Sequence, residues 1–230
     1  MSTKEKILEK SLELFNLFGT DQVKVRHIAK ELGISHGNLC YHYSTTDDII
    51  EALYYRLTDK LEDSFEANLH NVPSLTAILS TVQDLFVSLG EYKFLILDFV
   101  RVMRRNPKIR KNYQVLRHTQ GKILLEVIRQ LQFEGILRSD LPQSIYDSLV
   151  ELFLMLTDSW IIEAEVMFEG NKKEKERYYL QTCTKMLYPY LTTIGLRQLE
   201  IAKRKKGMAE PNKEVKRKFN PTFRPAQAVG

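Results

Sequence analysis

Residues 25–50 constrain this chain more than any other stretch. Val25, Ile28, Ala29 and Leu32 recur at helical spacing and predict one apolar helix face. Gly33 follows where that helix must stop, and glycine accepts the left-handed backbone of a helix end. Ile34 plugs the corner, and the Ser35 hydroxyl can cap a second, short helix. Leu39 points inward on it, which leaves His36, Gly37, Asn38, Cys40, Tyr41 and His42 outward or sideways. A short helix with a hydrogen-bonding face, braced by a tight turn, fits the DNA major groove.

The rest of the composition favours helices. Apolar residues make up 43% of 230, enough for a substantial core, and the 10 glycines and 7 prolines are too few for a loop-rich β fold. Cys40 and Cys183 cannot build a disulfide framework, which points to a reducing cytoplasm. The charged, amphipathic N-terminus does not read as a signal peptide. The apolar stretches 94–103 and 148–162 are interrupted by charges, so no membrane span is expected. The net charge of +5 is uneven: residues 201–230 carry +7, leaving −2 for the other 200. Residues 1–48 hold six basic and seven acidic side chains, so DNA affinity must come from placed contacts rather than bulk charge.

The run Ile34-Ser35-His36-Gly37-Asn38-Leu39-Cys40-Tyr41-His42-Tyr43, followed by Thr45-Thr46-Asp47-Asp48-Ile49, resembles the signature of the tetracycline-repressor (TetR) family of bacterial transcription regulators. Ile7-Leu8, Leu12, Leu14-Phe15 and Phe18-Gly19 fit its first helix, and the close match runs from residue 4 to about 53. Lys24, Cys40 and Thr46 depart from the pattern, standing where a capping Thr or Ser, a tyrosine and a phosphate-binding lysine are frequent. The resemblance implies that His36, Gly37 and Asn38 lie nearest the base edges. Asn38 offers a paired donor and acceptor suited to adenine. Arg26, Ser35, Cys40, Tyr41, His42 and Thr46 complete the expected DNA surface, with bracing of the small domain as the competing reading for Tyr41, His42 and Tyr43.

Helices are expected at about 3–18, 24–32, 35–42, 46–70, 74–89, 91–105, 107–134, 142–169 and 172–204, the last kinked at Pro189. The expectation is an all-α chain. A helix-turn-helix head occupies 1–48, a larger ligand-binding and dimerisation domain 49–204, and a basic tail 205–230. Val150, Phe153, Leu154, Thr157, Ile161 and Ala164 form one stripe; Tyr179, Cys183, Met186, Leu187, Tyr190, Leu191 and Ile194 form another. The resemblance implies that this helix pair meets its twin in a homodimer, whose symmetry matches a palindromic operator on double-stranded DNA.

Phe86, Asp98, Phe99, Arg101, Met103, Phe153, Thr157 and Trp160 are the candidate lining of a cavity for a small hydrophobic or amphipathic effector, with a filled core as the alternative. His36 and Cys40 have helical metal-ligand spacing, with His27 and His42 as further ligands by type alone, and no metal site is assigned. No cofactor signature is present. Asp98, Arg101, His118 and Glu163 are too scattered to make a catalytic set, so the chain does not read as an enzyme. The expected function is a repressor released by a mostly apolar ligand; the alternative is a regulator controlled by a protein partner, with no effector.

Overall fold

The computed structural model describes residues 1–69 and 74–206. The expected tail therefore lies, from residue 207 on, outside the described residues, as do residues 70–73 between the helices expected at 46–70 and 74–89. Among the described residues the regular structure is helical, apart from one isolated bridge between Leu137 and Leu191.

The head is built from three helices: α1 (Thr3–Phe18), α2 (Val25–Leu32) and α3 (His36–His42). Ser2 and Glu5 cap α1 reciprocally, which satisfies two backbone donors that a helix start leaves open. Lys24 contributes no side-chain cap to α2, as its departure from the family pattern implies. Gly33 ends α2 at φ 64°, where a side chain would be strained. Ile7, Phe15, Ile28, Leu39 and Ile49 are almost fully buried and form the centre of the head.

α4 (Thr46–Leu69) carries the chain from the head into the body. It is opened by the reciprocal cap of Thr45 and Asp48, whose backbone-to-side-chain bonds measure 2.8 and 3.1 Å. The body continues with α5 (Leu75–Glu91), α6 (Lys93–Leu97), α7 (Phe99–Arg105), α8 (Pro107–Phe133), α9 (Gln143–Met167), α10 (Lys172–Lys185) and α11 (Thr193–Lys205).

Two expected helices are each divided. The helix expected at 91–105 breaks at Asp98, where the carboxylate turns away to bind the head. The helix expected at 172–204 ends at Lys185, one turn before Pro189, rather than kinking there. Tyr188–Tyr190 form a 3-10 turn, Leu191 is extended, and Thr192 caps a fresh start by accepting from the Gly195 N–H at 3.1 Å. The extended piece is held at both ends: Arg138 N–H donates to Tyr190 C=O, and Thr192 N–H donates to Ile136 C=O. A proline has no N–H to continue a helix, and here the freed chain finds other partners.

Gly195 lets α11 approach that loop. A β-carbon there would fall on the Ile136 carbonyl oxygen, a backbone atom that cannot swing aside. Gly195→Ala should destabilise the protein by about 2 kcal/mol, as overpacking does. Its melting temperature should fall by about 5 °C. A thermal scan matching the unmodified protein would mean that α11 does not dock this closely.

Candidate nucleic-acid interface and effector cavity

Ser35, His36, Gly37, Asn38 and Tyr41 are exposed on and before α3, while Leu39 anchors the helix in the head. The Ser35 hydroxyl accepts the Asn38 N–H at 3.1 Å, so its first role is to cap. A β-carbon on Gly37 would meet no atom within 4 Å, so the fold itself does not require glycine there. Tyr41 is 86% exposed, with its ring 5.2 Å from that of half-buried His42. Half-buried Cys40 places Sγ 3.3 Å from His36 Nε2, one turn back. Among the described residues no group of three or more His, Cys, Asp or Glu side chains surrounds this pair. Arg26 is exposed in the first turn of α2.

Two residues at this surface are buried. Tyr43 is packed into the head under the Lys4 ammonium, 5.8 Å from its ring centre, as a brace. Thr46, expected at a phosphate, is also buried. Thr45 takes the capping position, which turns the next side chain inward.

The head is bolted to α6 and α7. The Thr20 backbone N–H and hydroxyl both donate to Asp98 Oδ2, at 2.8 and 2.7 Å. Asn16 donates to the Glu91 carbonyl at 2.7 Å and accepts from the Phe94 N–H at 3.1 Å. Phe15 and Phe94 pack with ring centres 5.1 Å apart. Arg101 pairs with Asp21, and Arg105 reaches both Asp21 and Asp47. Asp98 and Arg101, expected to line a cavity, therefore face the head instead. Their place within an apolar run concealed this, because the helix breaks at Asp98.

Behind this junction lies a cavity of about 170 Å3. Tyr54 and Leu57 of α4, Val82 of α5, Phe99 and Met103 of α7, and Phe153 and Thr157 of α9 help line it. A second cavity of about 100 Å3 shares Ile78, Val82, Leu124, Val127 and Phe153 with the first. One polar cluster faces the larger space: Tyr113 OH donates to Asp158 Oδ2 at 2.5 Å, and Arg117 reaches the same oxygen at 3.0 Å. Burial raises the Asp158 carboxyl above its ordinary pKa, against the opposing pull of the Tyr113 hydrogen bond and the Arg117 charge. Burial likewise pushes the Tyr54 phenol up to about 12. It donates to Asn112 at 2.8 Å. The Thr157 hydroxyl turns back to the Leu154 carbonyl.

The structure thus brings Phe99, Met103, Phe153 and Thr157 together and leaves Phe86 and Trp160 apart. Those two rings stack at 5.0 Å, with Tyr179 against Trp160, as packed core between α5, α9 and α10. Tyr54, Tyr113, Arg117 and Asp158 were missed. The available signal was Tyr113 and Arg117, one turn apart on α8, opposite an Asp beside Thr157. A wider cleft of about 530 Å3 opens where α1 meets the body. Its charges largely answer one another, as in the pairs that Glu165 makes with Lys93 and Lys175.

The apolar stripe expected to meet a twin lies inside the protomer. Val150, Thr157, Ile161 and Ala164 are buried, Leu154 lines the larger cavity and Leu187 the smaller. Tyr179, Cys183 and Leu191 are buried as well, and only Ile194 of the second stripe is exposed. A different face of α9 is uncovered: Ile145, Leu152, Met155, Ile162 and Val166 are 40–78% exposed. With Ser148 and Ser159 they recur every three or four residues, the spacing of a helix–helix seam. Ile194 and Ile201 of α11 are exposed at the same helical spacing. Among the described residues, no helix is long and apolar enough to cross a membrane.

Comparison with known proteins covers both parts. Residues 7–53 match the family of bacterial regulatory proteins, tetR family, and residues 56–199 match the TetR bacterial transcriptional repressor family. A TetR-family transcriptional regulator from Marinobacter aquaeolei has the same fold at 23% identity, with a TM-score of 0.79 over 89% of this chain and 98% of that one. A putative transcriptional regulator from Saccharomonospora viridis, solved in complex with choline, is 21% identical, with a TM-score of 0.62 over 82% of this chain and 97% of its own. The ketosteroid transcriptional regulator of Mycobacterium tuberculosis is 17% identical, with a TM-score of 0.59 over 83% of this chain and 96% of its own. With the head and the body each matched by the family, the chain belongs to the TetR family of bacterial transcriptional regulators.

Proposed function

We propose that the protein is a dimeric cytoplasmic repressor that binds a palindromic operator and is released by a small, mostly apolar ligand. Residues 1–48 read DNA, and residues 49–204 sense the ligand and dimerise. The observation that carries this reading is continuity: Phe99 lines the cavity, and Asp98 beside it holds Thr20 of the head. A ligand that displaces Phe99 acts on the segment that positions α3. A hundred-fold preference for the released conformation supplies about 2.7 kcal/mol, enough to shift the equilibrium substantially. The cavity favours this reading over control by a protein partner alone, which needs no internal space.

The charges of Asp158 and Arg117 offset each other, so a ligand carrying a net charge brings it into the cavity uncompensated. An uncharged apolar molecule with one hydroxyl or carbonyl group fits this chemistry better. The choline-bound neighbour supports a small molecule as the class of signal in this fold, without naming this one.

Enlarging Phe153, which borders both cavities, tests the site. Phe153→Trp should raise the effector concentration needed for operator release at least about ten-fold, equivalent to ~1.4 kcal/mol. Operator affinity without effector should stay unchanged. Equal release from both proteins, measured by fluorescence anisotropy of labelled operator, would place the effector elsewhere.

A further inference from the structure

The head carries no net positive charge for a DNA-binding module, with six basic and seven acidic residues in 1–48. The adjoining part of the body has the opposite character. Between Asp98 and Glu126 there is no Asp or Glu, and there are eight Lys or Arg. Six of them, Arg101, Arg104, Arg105, Lys108, Arg110 and Lys111, fall where α7 ends and α8 begins.

We propose that this basic ridge is a second DNA contact, which takes the phosphate backbone beside the bases read by α3. Three observations converge. First, the ridge lies against the head: Arg105 is 2.8 Å from Asp47 at the start of α4, five residues beyond the end of α3. Second, its members cancel acidic groups that would repel DNA, as Arg101 and Arg105 pair with Asp21, Arg105 with Asp47, and Lys108 with Glu51 at 3.5 Å. Third, the ridge holds more cations than the head's acids take up. Arg104, Arg110 and Lys111 are exposed, and among the described residues no carboxylate lies within ion-pair distance of them. Like charges gathered without counter-charges repel one another, and a polyanion relieves that repulsion. Phosphates carry no sequence information, so the ridge supplies affinity and orientation while α3 supplies selectivity.

The proposal rests on the reading of α3 as the base-contacting helix, and the test separates the two. The probes are a duplex recovered by selection from a random pool and a scrambled duplex of equal length. The variant is Arg104→Gln with Arg110→Gln and Lys111→Gln, three exposed side chains whose loss removes no ion pair within the protein. Each lost phosphate contact lowers the slope of log affinity against log salt by about 0.9. The slope should fall by about 5 for a dimer carrying two ridges, equally on both duplexes, with the operator-to-scrambled ratio kept. Arg104→Lys with Arg110→Lys should retain the slope. Arg104→Gln alone should lower it by about 2 per dimer if the triple variant folds poorly. A slope within about 1 of the unmodified protein, or a fall confined to the operator duplex, would overturn the ridge. An operator-to-scrambled ratio near one in the unmodified protein would instead overturn the reading of α3.

Discussion

Asn38→Ala and Gly37→Val each abolish sequence-specific binding and leave the protein folded and dimeric. Asn38 is exposed on α3, and its side chain makes no hydrogen bond that holds the head together; the bond at this residue is made by its backbone N–H to Ser35. A paired donor and acceptor at adenine is worth about 1–3 kcal/mol of discrimination. A dimer loses it twice, so affinity should fall roughly thirty-fold or more. Gly37→Val is the sharper case. The new side chain meets nothing within the protein, and valine suits a helix better than glycine by a few tenths of a kcal/mol. Its melting temperature should therefore match or slightly exceed that of the unmodified protein. Loss of binding then reflects bulk placed between backbone and groove. If both variants bind the selected operator at unmodified concentrations, α3 does not read it.

Leu152→Asp combined with Ile162→Asp yields monomers. Both side chains are about half exposed in the single chain, 51% and 47%, so carboxylates there remain hydrated in the monomer and need not unfold it. In a dimer they would be buried against an apolar face, a placement that costs several kcal/mol. Sedimentation should show the monomer mass with helical content retained. Operator affinity should drop by about two to four orders of magnitude, because two linked heads gain that much over one. A dimer at micromolar concentration from this variant would move the interface away from α9.

The head was legible in the sequence because its signals are local. The apolar spacing from Val25 to Leu32, the turn at Gly33 and the cap at Ser35 each constrain only a few neighbouring residues, and the structure follows them closely. The body was legible as helices but not as surfaces. α9 is apolar around most of its circumference: Phe153 and Thr157 face in, while Leu152 and Met155 face out. Periodicity picks out the Val150–Ala164 stripe and cannot say which face the protein's own helices cover. Asp98 shows the same limit. A carboxylate in an apolar run can face a ligand, water or a distant part of the chain, and its partner Thr20 lies 78 residues away. Tyr113, Arg117 and Asp158 come from two helices, so this polar cluster of the cavity exists only once α8 and α9 are packed. Pro189 reads as a kink; the bonds that make it a full stop, from Arg138 N–H to the Tyr190 carbonyl and from Thr192 N–H to the Ile136 carbonyl, are tertiary.

Selection of bound duplexes from a random pool by the purified full chain tests the central claim most directly. The account predicts enrichment of one palindrome, with half-sites related by the two-fold axis of a dimer and lost when Asn38 is replaced by alanine. A pool that stays unenriched, or one that yields an asymmetric site bound equally well by Asn38→Ala, would contradict it.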